Sequence, residues 1–307
     1  MTDADLALPV LDLSRFNAGP DERLAFLREV REAARGPGFF YLIGHGIGED
    51  LTRDVLALSR RFFALPEPDK LEIEMINSPH FRGYNRAGFE HTRGKPDWRE
   101  QIDIGAEREA LPFNPSAPAW TRLQGPNQWP RAPPELRPTL LRYQSEVTKL
   151  TIRVLGVFAT ALEQPEDIFE PIYTPAPNQL VKIIRYPGRD VRSGDQGVGA
   201  HKDSGFVTIL LQDDVKGLQV ESEDGWIDAA ARFIRCQHRR DTGIGIQRLF
   251  ACQCTSGDLA TAGMRSAVGR LLPRRPARCD RARARSLART GNTCAGINAR
   301  SLQSSLS

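Results

Sequence analysis

Residues 199–205 (GAHKDSG) carry the sharpest chemical feature of the 307-residue sequence. If this segment is a β-strand, residues two positions apart face the same side, so His201 and Asp203 direct an imidazole and a carboxylate toward one point. These are two of the three ligands of a 2-His-1-carboxylate site, which leaves open positions on a ferrous ion. His-x-Asp is also a short and common pattern, so the spacing alone favours an exposed pair at a strand end.

The elements around this pair strengthen the functional interpretation. Apolar residues at helical spacing predict helices over 21–35, 49–64 and 135–162. Short strands are predicted at 8–13, 39–43, 101–104, 180–184, 205–211, 218–221 and 226–228. Helices followed by a series of short strands indicate an α+β chain whose C-terminal half is a barrel or jelly roll. The His-x-Asp pair then precedes a strongly apolar strand and lies at the mouth of the barrel.

Charge is divided unevenly along the chain. Residues 232–307 hold 15 Arg and 3 Asp with no Lys or Glu, a balance of +12, whereas residues 1–231 hold 27 basic and 35 acidic residues, a balance of −8. All five Cys lie in the tail, and all four Trp and all five Tyr lie before it. The tail therefore needs its own explanation. The sequence also shows no secretory signal and no apolar run long enough to cross a bilayer, so we expect no membrane span and a cytoplasmic protein.

Several motifs, taken in order, resemble the isopenicillin N synthase-like family of Fe(II)/2-oxoglutarate-dependent oxygenases. In that family an HxD pair is followed by a strand, then GLQV, then a turn and W-hydrophobic-D, and all of these occur here up to Asp228. The N-terminal half agrees as well, with LPVLDLS (8–14), GFFYLIGHGI (38–47), RFFALPEPDK (61–70) and FRGYNRAG (81–88). Each motif alone is weak, but the ordered set is specific, and it covers about residues 8–229.

The resemblance implies a double-stranded β-helix, or jelly roll, with packed N-terminal helices and iron at its open end. It implies that His201 and Asp203 bind the metal, and that Tyr186 donates a hydrogen bond to the co-substrate. Packing at a strand end is an equal alternative for Tyr186. Arg185 is a second, weaker candidate for co-substrate binding. Phe81, Arg82 and Tyr84 are candidates for lining a substrate pocket, and His45 fits a structural turn better than a catalytic role.

The chemistry implied is oxidation of a small organic substrate by dioxygen, coupled to decarboxylation of 2-oxoglutarate to succinate at Fe(II). Some members of the family use no 2-oxo acid, so the metal is the firmer expectation. The protein's part is to keep the metal's open geometry and to tune it through residues behind the ligands.

The third ligand is where the sequence departs from the family. The resemblance places a second His within positions 251–261, followed by Arg-x-Ser, but this chain has no His there and carries Thr255 and Ser256 instead. The only later histidine is His238, which we judge a poor ligand because no strand pattern surrounds it. We expect the 307-residue chain to be inactive and its barrel to be incomplete after about residue 230.

A change of reading frame explains the tail. If bases two and three of each codon are read with base one of the next, synonymous codons allow family-like sequence over nearly the whole tail. The junction of the Thr255 and Ser256 codons can then encode a histidine, within the expected interval. We therefore interpret residues 231–307 as an out-of-frame tail, with the frameshift between Asp228 and Ile234.

These expectations divide the chain into residues 1–130, the N-terminal region of the oxygenase family; 131–230, a helix and the first part of the jelly roll; and 231–307, the out-of-frame tail. The expected partners are a small-molecule substrate and dioxygen, with no membrane and no nucleic acid. The alternative is a non-enzymatic protein whose basic tail binds nucleic acid, since Arg-rich segments neutralise phosphates. That tail lacks the interleaved aromatic residues that nucleic-acid-binding segments commonly use.

Overall fold

Two β-sheets and a layer of helices make up the described part of the chain. The computed structural model describes residues 8–188, 196–201, 203, 207–215, 217–222 and 225–230, and the backbone of three later strands, Ile234–His238, Phe250–Gln253 and Thr261–Val268. Five α-helices occur within these ranges: α1 (Pro20–Arg35), α2 (Glu49–Phe63), α3 (Glu67–Leu71), α4 (Leu136–Ala161) and α5 (Glu170–Tyr173).

The strands of the N-terminal half are short, apart from the last. They are β1 (Val10–Asp12), β2 (Phe39–Ile43), β3 (Gly83–Asn85), β4 (His91–Thr92), β5 (Lys95–Pro96) and β6 (Glu100–Gly105). The C-terminal half adds β7 (Gln179–Tyr186), β8 (Gln196–His201), β9 (Val207–Leu211), β10 (Leu218–Ser222), β11 (Gly225–Asp228), β12 (Ile234–His238), β13 (Phe250–Gln253) and β14 (Thr261–Val268). The predicted helices and strands are confirmed, with their ends moved by a few residues.

The strands form a large sheet and a small one. The large sheet has the order β1-β2-β12-β9-β14-β7-β6-β3, and the small sheet has the order β11-β10-β13-β8. Strands β4 and β5 form a separate hairpin that packs beside β8. Two sheets with antiparallel pairing between most neighbours are the architecture of a jelly roll, so the predicted fold class is confirmed.

Side-chain alternation along the large sheet explains why it is covered on both faces. In β2, Phe40 and Leu42 join the core shared with the helices, whereas Phe39 and Tyr41 pack with Leu218 and Val220 of the small sheet. This alternation follows from the two-residue period of a strand. We call the face of the large sheet that is turned toward the small sheet the inner face, and the face covered by helices the outer face.

Helix α4 is the main support of the outer face. Its apolar residues recur every three or four positions, and Leu140, Val147 and Val154 are at most 3% exposed. Phe158 of this helix meets Phe40 of β2 edge to face, with ring centroids 6.2 Å apart. Helices α1 and α2 pack against α4 and contribute Phe26 and Phe62 to the same core.

A buried ionic cluster also joins the helical layer to the large sheet. The carboxylate of Glu100, at the start of β6, accepts hydrogen bonds from Lys70 Nζ at 2.8 Å, Tyr84 Oη at 2.6 Å and Arg185 Nη1 at 2.9 Å. Glu100 is 4% exposed and Lys70 is 8% exposed. Charges buried this deeply must be paired, because an isolated ion would lose its hydration without compensation.

The expectation of an incomplete barrel after about residue 230 is wrong for the backbone. Strand β12 pairs with β2 and β9, β13 pairs with β8 and β10, and β14 pairs with β7 and β9. Strand pairing uses N–H and C=O groups that almost every residue supplies, so these three segments pair although their sequence shows no strand pattern. In the described part of the chain, no helix is both long enough and apolar enough to cross a membrane.

Candidate metal and co-substrate site

His201 and Asp203 come together at the end of β8, as the sequence predicts. His201 Nε2 lies 3.5 Å from Asp203 Oδ1, and both side chains are largely buried, with 22% and 15% of their surface exposed. His201 Nδ1 lies 2.8 Å from the backbone carbonyl of Gly199. Because a carbonyl only accepts, Nδ1 is the protonated nitrogen, and in the neutral ring Nε2 carries the lone pair.

This arrangement suits a cation. The Nε2 lone pair and the Asp203 carboxylate are both acceptors, and a positive charge between or beside them relieves their repulsion. Metal-binding histidines commonly donate their other N–H to a backbone carbonyl, as His201 does to Gly199. The pair supplies two of the donor types that an Fe(II) site uses, and no group of three His, Cys, Asp or Glu side chains among the described residues is placed to hold a metal ion.

Asp97 connects the N-terminal half to the strand that carries His201. Its carboxylate, 1% exposed, accepts a hydrogen bond from the Gly199 backbone N–H at 3.1 Å and another from Thr92 Oγ1 at 2.7 Å. The same carboxylate lies 3.6 Å from Arg99 Nη2. Since Gly199 also accepts the proton of His201 Nδ1, Asp97 fixes the backbone that orients the imidazole.

We expect Asp97→Ala to weaken Ni²⁺ binding to this chain by about tenfold, because partners behind a metal ligand typically contribute 10- to 100-fold in affinity. The measurement is a calorimetric Ni²⁺ titration of the metal-free protein. Asp69→Ala is the matched control, since Asp69 is an exposed carboxylate on α3. Equal affinities of Asp97→Ala and the unmodified chain would show that Asp97 does not position the pair.

Tyr186 and Arg185 lie on opposite faces of β7. Arg185 is on the outer face, where Nη1 donates to Glu100 Oε1 and, at 3.2 Å, to the carbonyl of Phe63. Tyr186 is on the inner face, where its side chain is hydrogen-bonded to Arg99. Because neighbouring side chains of a strand point to opposite faces, the structure does not bring Arg185 together with the other three predicted site residues.

A chain of contacts connects Tyr186 to the His201–Asp203 pair. Arg99 is hydrogen-bonded to Tyr186 and lies beside Asp97, and Asp97 accepts the N–H of Gly199, two residues before His201. Tyr186 is therefore linked through two buried charged residues to the strand that carries the imidazole. His45 is elsewhere, and its Nδ1 accepts the backbone N–H of Ile47, as expected for a structural turn.

A charged network on the inner face was not predicted from the sequence. Lys182 Nζ lies 2.8 Å from Asp103 Oδ1, Gln101 Nε2 donates to Asp103 Oδ2 at 2.6 Å, and Arg99 Nη2 donates to Glu90 Oε2 at 2.8 Å. Burial raises the pKa of Asp103 above its ordinary value, although Lys182 opposes this. The available signal was the polar pair Gln101 and Asp103, two positions apart in β6, and Lys182 within the apolar run of β7.

The positions expected to hold the third ligand lie outside the residues that the structure describes. Thr255 and Ser256 are not among the described residues. His238 ends β12, where its backbone pairs with Val207, but its side chain also lies outside the description. A jelly roll with a His-x-Asp pair at a strand end is the arrangement of the class of non-haem iron oxygenases.

Comparison with known proteins identifies the family. The family described as non-haem dioxygenase in morphine synthesis N-terminal matches residues 8–132, and the 2OG-Fe(II) oxygenase superfamily matches residues 177–238. A 2-oxoglutarate-dependent dioxygenase, frbJ, from Dothideomycetidae sp. (strain 11243) is 39% identical over 227 residues, which are 72% of this chain and 61% of that protein. A homoarginine-6-hydroxylase from Arabidopsis thaliana is 36% identical over 237 residues, which are 73% of this chain and 70% of that protein.

The fold agrees with this assignment. A full-length Neurospora crassa protein crystallised with alpha-KG has a TM-score of 0.72 to this chain at 23% identity, over 88% of this chain and 87% of that one. The chain belongs to the 2OG-Fe(II) oxygenase superfamily, which confirms the predicted family and its cofactors, Fe(II) and 2-oxoglutarate, at the family level. The chain spans about 61% of the length of the Dothideomycetidae relative, so its own activity is a matter for proposal.

Proposed function

We propose that this protein derives from an Fe(II)- and 2-oxoglutarate-dependent oxygenase of a small organic substrate, and that the 307-residue chain lacks the activity because one metal ligand is missing. His201 and Asp203 hold the metal in this proposal, and Tyr186 holds the co-substrate. When bound, Fe(II) would activate dioxygen, the oxidant, at the expense of 2-oxoglutarate, which is oxidised to succinate and carbon dioxide, and the chain supplies binding and orientation. A cytoplasmic location and the absence of a nucleic-acid partner belong to the same proposal.

The geometry of the His201–Asp203 pair is the observation that carries the proposal. The pair is largely buried, its imidazole is oriented by the Gly199 carbonyl, and its two acceptors face each other at 3.5 Å. The alternative, an exposed pair at a strand end, would not need the buried Asp97 behind it. The pair alone provides two of the three protein ligands that the 2-His-1-carboxylate site requires.

The change of reading frame between Asp228 and Ile234 is proposed as the cause of the missing ligand. The charge balance reverses near this point, and the superfamily match ends at residue 238. Residues 1–130 and 131–230 then form the family's N-terminal region and the first part of its jelly roll, and 231–307 form the tail. We call the chain in which the downstream codons are read in the family-like frame the frame-restored chain.

The substrate is proposed to be a small polar molecule. The inner face carries Glu90, Asp97 and Asp103 against Arg99 and Lys182, so a polar ligand finds hydrogen-bonding partners there. L-homoarginine is the first compound to assay with the frame-restored chain, because the Arabidopsis relative is named as a homoarginine-6-hydroxylase. Succinate formation that L-homoarginine does not stimulate would exclude it as the substrate.

The different roles of Tyr186 and Arg185 give a direct test. In the frame-restored chain with metal, we expect Tyr186→Phe to weaken 2-oxoglutarate binding by about tenfold, the effect of one lost hydrogen bond to a carboxylate. Arg185→Met should leave that affinity unchanged and instead lower the free energy of unfolding, because Glu100 loses one buried partner. Calorimetric titration with 2-oxoglutarate and urea unfolding measure the two effects. Loss of 2-oxoglutarate binding in a folded Arg185→Met variant would contradict this assignment.

A further inference from the structure

A cavity of about 220 Å³ lies at the far end of the β6–β7 pair. Ala106, directly after β6, and Asn178, directly before β7, both line it. Tyr186 is at the opposite end of β7. At about 3.3 Å per residue of strand, Tyr186 and Asn178 are roughly 25 Å apart, so the cavity is distinct from the proposed co-substrate site.

Arg82 is a buried cation in the wall of this cavity. It is 6% exposed, and its guanidinium donates to the backbone carbonyls of His80 at 2.8 Å and of Phe81 and Leu123 at 3.0 Å. Its Nε is buried and has no hydrogen-bond acceptor among the described residues. No carboxylate of the described chain forms an ion pair with it within 4.0 Å, whereas buried arginines are ordinarily paired.

The other polar groups of the wall include further donors. Trp120 Nε1 is buried and has no acceptor in the described structure, although a buried indole N–H usually finds one. Arg108 lines the cavity and donates to the Pro177 carbonyl, and the side-chain amides of Gln124 and Asn178 complete the polar lining. No Asp or Glu occurs among the lining residues that the structure describes.

We propose that this cavity binds a small organic carboxylate. Arg82 and Arg108 provide positive charge for an anion, and the described residues offer neither of them a carboxylate. The indole N–H of Trp120 adds a directed donor. Guanidinium groups match the geometry of carboxylates and phosphates. Ala106, Leu123 and Pro175 make the rest of the wall apolar, which suits the carbon skeleton of an organic acid better than inorganic phosphate. The volume lies below the roughly 300–1,000 Å³ of pockets that hold drug-sized molecules, so the cavity suits a small ligand.

The charge state of Arg82 agrees with this proposal. Burial lowers the pKa of its guanidinium, and Asp103 and Glu107 oppose this from a distance. An arginine still carries its charge at neutral pH despite such a shift. A bound carboxylate would therefore compensate a buried charge that the described residues leave without an ion pair.

The test is a titration of the full-length chain with malonate in EDTA at constant ionic strength, followed by tryptophan fluorescence. We expect a saturable change that is absent in Trp120→Phe and present in Trp226→Phe, whose indole is exposed elsewhere. Arg108→Gln should weaken malonate binding at least about tenfold, the effect of losing a charge-assisted hydrogen bond. Arg131→Gln is the matched control, because Arg131 is 88% exposed and outside the cavity.

Three results would overturn the proposal. One is equal malonate affinity in Arg108→Gln and Arg131→Gln, with both proteins folded by circular dichroism. The second is loss of malonate binding in the double variant His201→Ala, Asp203→Ala, which would move the ligand to the metal site. The third is tighter binding of inorganic phosphate than of malonate in a parallel titration, which would exclude the carboxylate as the preferred ligand.

Discussion

Succinate is expected to form from 2-oxoglutarate with the frame-restored chain and Fe(II), and to form with the 307-residue chain no faster than without protein. The restored frame is the one in which the junction of the Thr255 and Ser256 codons can encode a histidine. Losing a residue behind a metal ligand already costs 10- to 100-fold, so a missing ligand should cost at least about 100-fold.

The control for this experiment is the frame-restored chain carrying Asp203→Ala, which should be as inactive as the 307-residue chain. Sequencing of the coding DNA around codon 230 accompanies it. Turnover by the 307-residue chain itself would contradict the proposed loss of activity. A downstream frame that encodes no family-like sequence would remove the explanation of the tail.

Lys182→Met is expected to lower the free energy of unfolding by about 3–5 kcal/mol at pH 7, the usual cost of removing one partner of a buried ion pair. Lys182 Nζ lies 2.8 Å from Asp103 Oδ1, and the Asp103 side chain is fully buried. The methionine retains most of the aliphatic volume, so the loss reports the unpaired carboxylate. Urea unfolding measures it, with Lys149→Met as the control, since Lys149 is 69% exposed.

The cost of Lys182→Met should also depend on pH. Burial raises the pKa of folded Asp103, and removing Lys182 raises it further, whereas unfolded Asp titrates near about 3.9. Above that pH the folded variant must either protonate Asp103 or keep an unpaired buried charge. Protonation lowers the free energy of unfolding by about 1.4 kcal/mol for each pH unit, up to the pKa of Asp103 in the folded variant. The loss is therefore smaller at pH 5 than at pH 7. An equal loss at both pH values would show that Asp103 does not titrate in this way.

Much of the fold could be predicted from local patterns. The helix over residues 135–162 and the strand over 39–43 follow from apolar periodicity, and the structure has them at Leu136–Ala161 and Phe39–Ile43. The approach of His201 and Asp203 was predicted from the two-residue period of a strand, although β8 ends at His201 and Asp203 follows it. These features depend on neighbours in sequence, so the residue pattern contains the necessary information.

The other parts of the site depend on contacts between distant residues. Asp97 meets Gly199 across 102 positions, and Arg185 meets Glu100 across 85. Nothing local in either segment indicates its partner. The face on which Arg185 lies could have been inferred from β7, where Val181 and Ile183 share its face and join the helical core. The pairing of the strands β12, β13 and β14 was missed because their sequence has no strand pattern, whereas backbone pairing needs only N–H and C=O groups.

Ni²⁺ affinity is the measurement that tests the central claim most directly, because it reports the ligands without requiring a substrate. Calorimetric titrations compare the 307-residue chain, the frame-restored chain and the His201→Ala variant of each. We predict one equivalent bound at least about 100-fold more tightly by the frame-restored chain, and loss of binding in both His201→Ala variants. Equal affinity in the two chains, or binding that His201→Ala does not change, would contradict the account.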